Sequence, residues 1–298
     1  MADRFAAALG VAEAAKSTAL IVEQGGERLL ERYWTLAEPS QHFELLGGDT
    51  LADGRTCEDV ASVQKSVIAF LAGIAITEGK MALDAPVSDY IGVGWSKAPA
   101  DREAAITIRH AMAMTTGLST ALEYEEPAGA RWEYNTNAYA TVTRALVQAT
   151  GRELNDLTKA WLTDPAEMHE TEWRRRTWHQ AEYDANAVGL FTTARDLTRF
   201  GQVVLAGGRW GDRVLLDNPA YVKAMLSPSQ TRNPGYGLLW WTEPPPSAPP
   251  DLVAARGTLH RYLFVSPSRE LVVTRLGDEP PQGHGLREDL FAALMPAL

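Results

Sequence analysis

The stretch from Thr56 to Gly79 constrains this chain most, because it places two reactive side chains at the start of an apolar helix. Its apolar residues recur at helical spacing, and Gly79 is suited to end the helix as a left-handed residue. Ser62 and Lys65 lie three residues apart and should share one helical face. A serine hydroxyl needs a base within hydrogen-bond reach, and a lysine amine can be that base when burial or nearby cations lower its pKa. Taken alone, such a tetrad also fits an ordinary helix start with a solvated lysine.

The composition is that of a globular protein without an excess of positive charge. The chain has 298 residues, 45% of them hydrophobic, and a formal net charge of −10 with a pI near 5.2. No basic surplus is present to neutralise phosphates, so the charge argues against nucleic-acid and membrane-surface partners. The Arg174 to Arg176 run is interpreted as a solvated face.

Cysteine usage and the N-terminal segment bear on the compartment. A single cysteine, Cys57, cannot form an internal disulfide and is expected to be a buried, unreactive thiol. The first residues carry Arg4 and Glu13 and predict a short amphipathic helix rather than a signal peptide. No stretch is long and apolar enough to span a bilayer. We therefore expect a cytoplasmic protein.

Strand patterns occur near both ends of the chain, and helical patterns lie between them. A β-hairpin is predicted around Gly25 and Gly26, and a closing helix follows Leu286. Thr107, Asn137 and Thr193 are expected to cap helices in the middle of the chain. Further strands are predicted at Tyr236–Trp241, Leu252–Leu259, Arg261–Val265 and Glu270–Leu276.

This order predicts an α+β fold in which one antiparallel sheet is built from both termini, flanked by helices, with an inserted helical region. We expect residues 1–298 to form a single catalytic unit. Its sheet region would comprise residues 1–61 and 230–298, and its mainly helical region residues 62–229. The proline-rich segment at 243–251 is expected to be a loop between strands.

Several motifs then occur in the order typical of one family. Ser62-Val-Gln-Lys65 is followed by the segments 106–118, 132–137, 186–197 and 235–240, and by Ala255-Arg256-Gly257-Thr258. In this set the chain resembles the serine β-lactamase and penicillin-binding-protein-like hydrolases, specifically the class C-like branch that includes esterases and amide hydrolases. The resemblance covers most of the chain and implies a β-lactamase/transpeptidase-like fold.

The resemblance also implies a mechanism without a metal or an organic cofactor. Ser62 would be acylated, and Lys65 and Tyr134 would share its proton, with either one as the general base. The backbone N–H groups of Ser62 and Thr258 would form the oxyanion hole. Gly257 would allow the strand backbone to approach the acyl group closely.

Two departures from the family pattern bear on the substrate. Thr136 stands where the family has asparagine after its tyrosine, which leaves Asn135 and Asn137 as candidates for that amide's role. The lysine of Lys-Thr-Gly is replaced by Ala255, and the adjacent Arg256 should point to the opposite face of the strand. We therefore predict a small ester or amide substrate. The alternative is β-lactamase or D-amino-acid peptidase activity.

Other side chains are candidates for the wall of the cleft, with core packing or surface exposure as the alternative. Arg256, Trp241 and His260 follow the motifs closely enough to be candidate substrate contacts. Trp178 and the Tyr183-Asp184 pair are weighed in the same way, whereas Trp132 and Trp240 are expected to pack in the core. The histidines show no metal-ligand spacing.

Rival functions use the same residues or fail on the motif. The α/β-hydrolase pattern needs glycines on both sides of the serine, and Ser62 is flanked instead by Val60 and Gln64. A non-catalytic ligand-binding member of the same fold remains an alternative, and the presence of Ser62, Lys65 and Tyr134 argues against it. Acyl transfer to an alcohol or amine would use the same catalytic residues.

Overall fold

A computed structural model describes residues 2–177, 187–281 and 285–298. Within these residues the main sheet is antiparallel and five-stranded, with the order β2-β1-β11-β10-β9. The strands of this sheet are β1 (Ser17–Gln24), β2 (Glu27–Tyr33), β9 (Val253–Gly257), β10 (Arg261–Ser266) and β11 (Leu271–Gly277). The sheet joins both ends of the chain, as the strand patterns predicted.

The pairing of β1 with β11 joins the N-terminal hairpin to the C-terminal strands. Ile21 lies opposite Thr274 on β11, and on its other side it lies opposite Glu31 on β2. Because successive side chains point to opposite faces, Leu20 and Ile21 enter two different apolar cores. Both faces of β1, an interior strand of the sheet, are therefore buried.

The first core lies between the sheet and the two terminal helices, α1 (Ala6–Ala14) and α11 (Leu286–Leu294). Phe264 of β10 packs edge to face against Phe291 of α11, with ring centroids 5.0 Å apart. This geometry is favourable for aromatic pairs. The terminal helices thus cover the sheet face opposite the candidate site.

The second core lies between the sheet and the inserted helices, and it contains α3 (Gln64–Thr77), most of which is buried. Gly79 follows α3 with a φ of 71°, which confirms its predicted role at the helix end. The other helices are α2 (Gln41–Leu46), α4 (Ser88–Ile91), α5 (Ala100–Glu103), α6 (Ile108–Met112), α7 (Thr136–Thr150), α8 (Leu154–Thr158), α9 (Ala194–Leu205) and α10 (Pro219–Met225).

The predicted helix caps hold at two of three positions. Thr107 and Thr193 accept hydrogen bonds from the first turns of α6 and α9. The prediction of Asn137 as a cap is wrong, because α7 begins two residues earlier. The side chain of Asn135 accepts a hydrogen bond from the Ala138 N–H at 3.0 Å and starts the helix there.

A second sheet joins residues 49–59 to residues 172–193, so two of its four strands lie in the region expected to be mainly helical. In the described residues it has the order β3-β4-β6-β5, and all its pairs are antiparallel. Its strands are β3 (Asp49–Thr50), β4 (Thr56–Asp59), β5 (Glu172–Arg175) and β6 (Val188–Thr193), and a separate hairpin joins β7 (Arg209–Trp210) and β8 (Arg213–Val214). Because β4 ends at Asp59, three residues before Ser62, this second sheet supports the candidate nucleophile.

The prediction of a strand at Tyr236–Trp241 is wrong. The Gly237 N–H donates to the Trp240 carbonyl at 2.8 Å, and Leu239 has a φ of 60°, so the chain turns sharply. Only Trp241 pairs with the sheet, through two hydrogen bonds with Ala254 on β9.

Some predicted features fall outside the described part of the chain, namely Trp178, His179, Tyr183, Asp184, Asn186 and His284. Among residues 2–177, 187–281 and 285–298, the structure contains no helix with the length and apolar character needed to cross a membrane.

Candidate active site

Ser62 lies in a short 3-10 turn, Ala61–Val63, between β4 and α3. Ala61 has a φ of 48°, which is uncommon for a residue with a side chain. The Asp59 carboxylate accepts a hydrogen bond from the Ala61 N–H at 2.9 Å and holds this turn. The strand, the turn and the helix together present the Ser62 hydroxyl at the head of α3.

Lys65 lies one turn further along and contacts Ser62 directly, with 2.9 Å between its Nζ and the Ser62 Oγ. Only 3% of the Lys65 surface is exposed. Burial, followed by the positive charge of Arg176, lowers the pKa of Lys65 to about 7. The ring faces of Tyr134 and Tyr139, 5.1 and 4.8 Å from Nζ, stabilise the cation and partly offset this effect. Lys65 is therefore protonated far less readily than a solvated lysine.

Tyr134 approaches Ser62 from the segment that leads into α7. Burial raises the pKa of Tyr134, and its hydrogen bond with Ser62 opposes that rise. Its ring stacks on Trp241 with centroids 5.9 Å apart, and it lies edge to face against Tyr236 at 6.4 Å. The structure thus brings Ser62, Lys65 and Tyr134 together, and aromatic packing fixes the tyrosine.

Gly257, at the end of β9, packs against the turn Asp59–Ser62, which we call the nucleophile turn after its candidate nucleophile. A Cβ at this position would lie 2.4 Å from the Val60 carbonyl oxygen and 3.4 Å from the Ser62 nitrogen. The close approach of the two backbones therefore requires glycine. Thr258 follows directly and begins the turn Thr258–His260.

The two asparagines after Tyr134 are engaged in local structure. The Asn135 amide donates to the Leu118 and Ser119 carbonyls at 3.1 and 2.8 Å, and its oxygen caps α7. The Asn137 amide donates to the Thr120 carbonyl at 2.7 Å. These bonds tie the start of α7 to the neighbouring loop.

The side chains of Ala255 and Arg256 lie on opposite faces of β9. Ala255 is buried in the core on the Ser62 side of the sheet. The Arg256 guanidinium instead stacks over the Trp241 ring at 4.5 Å and donates to the Glu243 carbonyl at 2.7 Å. Arg256 therefore does not replace a lysine at position 255.

The His260 side chain contacts two residues that lie outside the turn Thr258–His260. It hydrogen-bonds to the Tyr262 hydroxyl at 2.8 Å and lies 3.4 Å from the Glu279 carboxylate. Burial lowers the pKa of His260, and Glu279 opposes this shift. These contacts engage both ring nitrogens of His260.

Cys57 is buried, as predicted, and is 2% exposed. Burial raises the pKa of its thiol to about 12. A thiol of this kind is a poor nucleophile at neutral pH.

The sequence reasoning missed a buried polar network behind the nucleophile turn. Arg176 pairs with Asp59 through two hydrogen bonds of 2.5 and 2.8 Å, and Gln64 accepts at 3.3 Å from the same guanidinium. The interpretation of the whole 174–176 run as a solvated face is wrong for Arg176, which is 5% exposed. Strand alternation could have placed Arg174 and Arg176 apart from Arg175, but it does not identify the carboxylate partner.

The fold and the site geometry define a β-lactamase-type α+β protein with a serine and a lysine in contact at the head of a buried helix. The family model described as Beta-lactamase matches residues 2–293, and the chain belongs to this family.

Known proteins with this fold differ widely in sequence. A D-stereospecific amidohydrolase from Streptomyces sp. superposes with a TM-score of 0.72 at 16% identity, covering 97% of each chain. A penicillin-binding protein from Bacillus halodurans gives 0.71 at 15% identity, covering 98% of this chain and 99% of that one. An uncharacterised protein of Alkalihalophilus pseudofirmus is 22% identical over 256 residues, which are 78% of this chain and 70% of that protein.

Proposed function

We propose that this protein is a serine hydrolase that cleaves a small ester or amide through an acyl-Ser62 intermediate. The contact between the Lys65 amine and the Ser62 hydroxyl, 2.9 Å long and shielded from solvent, carries the proposal. A lysine held in this way can remain neutral and accept a proton at neutral pH, which a solvated lysine does not do.

The reaction would run in two halves. In the first half, the Ser62 oxygen forms a bond to the substrate carbonyl carbon while its proton passes to Lys65. The tetrahedral intermediate then expels the alcohol or amine, which receives a proton from the site. In the second half, water attacks the acyl-serine, and the same groups remove its proton and return one to Ser62.

The pKa shifts divide the roles between Lys65 and Tyr134. Burial moves the pKa of Lys65 down and the pKa of Tyr134 up, so the amine is the better base and the phenol keeps its proton. We assign the base role to Lys65, and to Tyr134 the transfer of a proton to the leaving group.

The proposed oxyanion hole consists of the Ser62 and Thr258 backbone N–H groups. The close contact of Gly257 with the nucleophile turn supports this assignment, because it brings the two backbone segments together. Two N–H donors fixed beside the reacting carbonyl stabilise the negative charge that develops on its oxygen.

The environment of β9 favours an ester or amide over a penicillin-like substrate. Ala255 supplies no cation for a substrate carboxylate, and Arg256 lies on the other face. A cavity of about 610 Å³ is lined by Tyr139, whose ring contacts Lys65, and by both apolar and charged residues, among them Trp95, Trp173, Lys97 and Arg144.

Steady-state hydrolysis of p-nitrophenyl esters, an acyl p-nitroanilide and nitrocefin tests the proposal. We expect turnover of the ester or the anilide by the wild-type protein, and a loss of about 10²-fold or more in kcat for Tyr134→Phe. Tyr90→Phe is the matched control, because the Tyr90 hydroxyl accepts a hydrogen bond from the Ala82 N–H elsewhere. Efficient nitrocefin turnover without ester hydrolysis would favour the β-lactamase alternative.

A further inference from the structure

We propose that Arg275 is a positioning residue that holds the second half of the oxyanion hole, by clamping the turn after Thr258 through its backbone carbonyls. This inference rests on the proposed function. Arg275 lies on β11, two strands away from β9, and is fully buried. It touches none of the residues proposed to react.

Every N–H group of the Arg275 side chain has an acceptor. Its Nε donates to the Ser17 hydroxyl at 2.9 Å. One terminal nitrogen donates to the Leu259 and His260 carbonyls at 2.6 and 3.0 Å, and the other donates to the Ala15 and Asp278 carbonyls at 2.6 and 2.9 Å. A planar guanidinium with all five donors engaged is held in one orientation.

The turn that Arg275 clamps has an unfavourable backbone conformation. Leu259 and His260 have φ angles of 63° and 58°, and neither is glycine. Such conformations cost free energy and persist only where the surrounding structure imposes them. The two carbonyls of this strained pair are the ones that accept from Arg275, so the clamp acts where the backbone needs support.

The clamped turn is connected to the nucleophile turn on both sides. Gly257, just before Thr258, lies against Val60 and Ser62, and Arg261, just after His260, donates to the Asp59 carbonyl. A shift of the Leu259 and His260 carbonyls would therefore move the Thr258 N–H relative to Ser62. Because oxyanion donors act only over hydrogen-bond distances, a displacement of this kind would weaken transition-state binding more than substrate binding.

Arg275→Lys tests this inference, because it keeps the positive charge and removes the fork of five donors. Below the unfolding transition, we expect kcat for a p-nitrophenyl ester to fall about 10- to 100-fold, with KM within about threefold of wild type. Phenylboronic acid, which forms a tetrahedral adduct on a reactive serine, should lose affinity by the factor by which kcat/KM falls.

Arg55→Met is the control for a merely structural arginine. Arg55 is largely buried and joins Asp53 and Glu170, but it has no contact with the clamped turn. We expect this variant to unfold at a lower temperature while kcat and boronate affinity stay within about twofold of wild type.

A folded Arg275→Lys protein with wild-type kcat and boronate affinity would overturn the positioning role while leaving the proposed function intact. If Arg275→Lys does not fold, Ser17→Ala decides, since it removes only the Nε acceptor. A decrease of about threefold in both quantities supports the clamp, and unchanged values overturn it. Absence of any Ser62 adduct with an ester or a boronate in the wild-type protein would overturn the proposed function and the inference with it.

Discussion

Two turns meet at the candidate site, and opposite charges hold them. The nucleophile turn, Asp59–Ser62, is fixed by a carboxylate that accepts from the Ala61 N–H. The turn Gly257–His260, which we propose supplies an oxyanion donor and call the oxyanion turn, is fixed by the Arg275 guanidinium, which donates to two carbonyls. Each turn contains a residue other than glycine with positive φ. The Asp59 carboxylate holds a backbone N–H donor in the nucleophile turn, whereas the Arg275 guanidinium holds two backbone carbonyl acceptors in the oxyanion turn.

The comparison shows how a fold can keep two unfavourable backbone conformations side by side. Asp59 and Arg275 are both buried, and each is bonded to a residue distant in the sequence. Asp59 pairs with Arg176, which follows β5, and Arg275 donates to Ser17 at the start of β1. Buried charges of this kind are costly unless their hydrogen bonds are satisfied. We infer that the anchors serve the geometry of the site more than the stability of the chain.

The largest loss of activity is expected from a substitution at the reactive centre rather than in either turn. Lys65→Met should lower kcat by about 10³-fold or more, because Ser62 loses its base. It should also raise the free energy of unfolding near pH 7 by about 3 to 5 kcal/mol, because folding of the wild-type protein lowers the pKa of Lys65 to about 7.

The pH dependence of that gain checks its cause. Between about pH 7 and 10.5 the unfolded wild-type chain binds more protons than the folded one, so wild-type stability increases with pH in that range. The advantage of Lys65→Met should therefore shrink as the pH rises towards 10.5. Urea unfolding of both proteins at pH 7 and pH 9.5 measures it, and a constant difference would contradict the lowered pKa.

The next effect concerns the contact between the turns. Gly257→Ala introduces a Cβ 2.4 Å from the Val60 carbonyl oxygen, so one turn must move away from the other. We expect kcat to fall about 10²-fold while the protein remains folded. Gly10→Ala is the control, since it lies in α1 with no atom near its Cβ position and no positive φ. Equal activity of the two variants would argue against a contact between the turns that matters for catalysis.

A smaller effect on activity is expected from a substitution of Arg176, the partner of Asp59. Arg176→Gln removes a positive charge that lowers the pKa of Lys65, so the acid limb of the kcat/KM profile should move to higher pH, by up to about one unit. Arg175→Gln is the matched control, because Arg175 ends β5 next to Arg176 and its side chain is exposed. Measurement of kcat/KM from pH 5 to 9 compares them, and an unshifted limb in Arg176→Gln would separate Arg176 from Lys65.

The smallest effect should come from the His260 side chain. The oxyanion turn is held through its backbone carbonyls, whereas the His260 ring contacts Tyr262 and Glu279. His260→Ala should therefore leave kcat within about twofold of wild type. A large loss of kcat with unchanged folding, seen by circular dichroism, would give the imidazole a direct role.

The sequence predicted the main sheet and α3, since alternating and helical apolar patterns are local and strong. The contact between Ser62 and Lys65 followed from helical spacing alone. The anchors could not be predicted in this way, because Asp59 and Arg176 are 117 residues apart and Arg275 reaches back to Ala15 and Ser17. Such pairs depend on the packing of distant strands, which no local pattern contains. The position of the α7 cap depended on which of two nearby asparagines reaches the helix N–H groups.

Intact-protein mass spectrometry after brief exposure to a p-nitrophenyl ester, a fluorophosphonate or benzylpenicillin tests the central claim most directly. Each reagent would be applied to the wild-type protein and to Ser62→Ala. The account predicts ester and phosphonate adducts on the wild-type protein that are absent from Ser62→Ala, and no penicillin adduct. Adducts that persist in Ser62→Ala, or a wild-type protein that none of the reagents modifies, would contradict the assignment of Ser62 as the nucleophile.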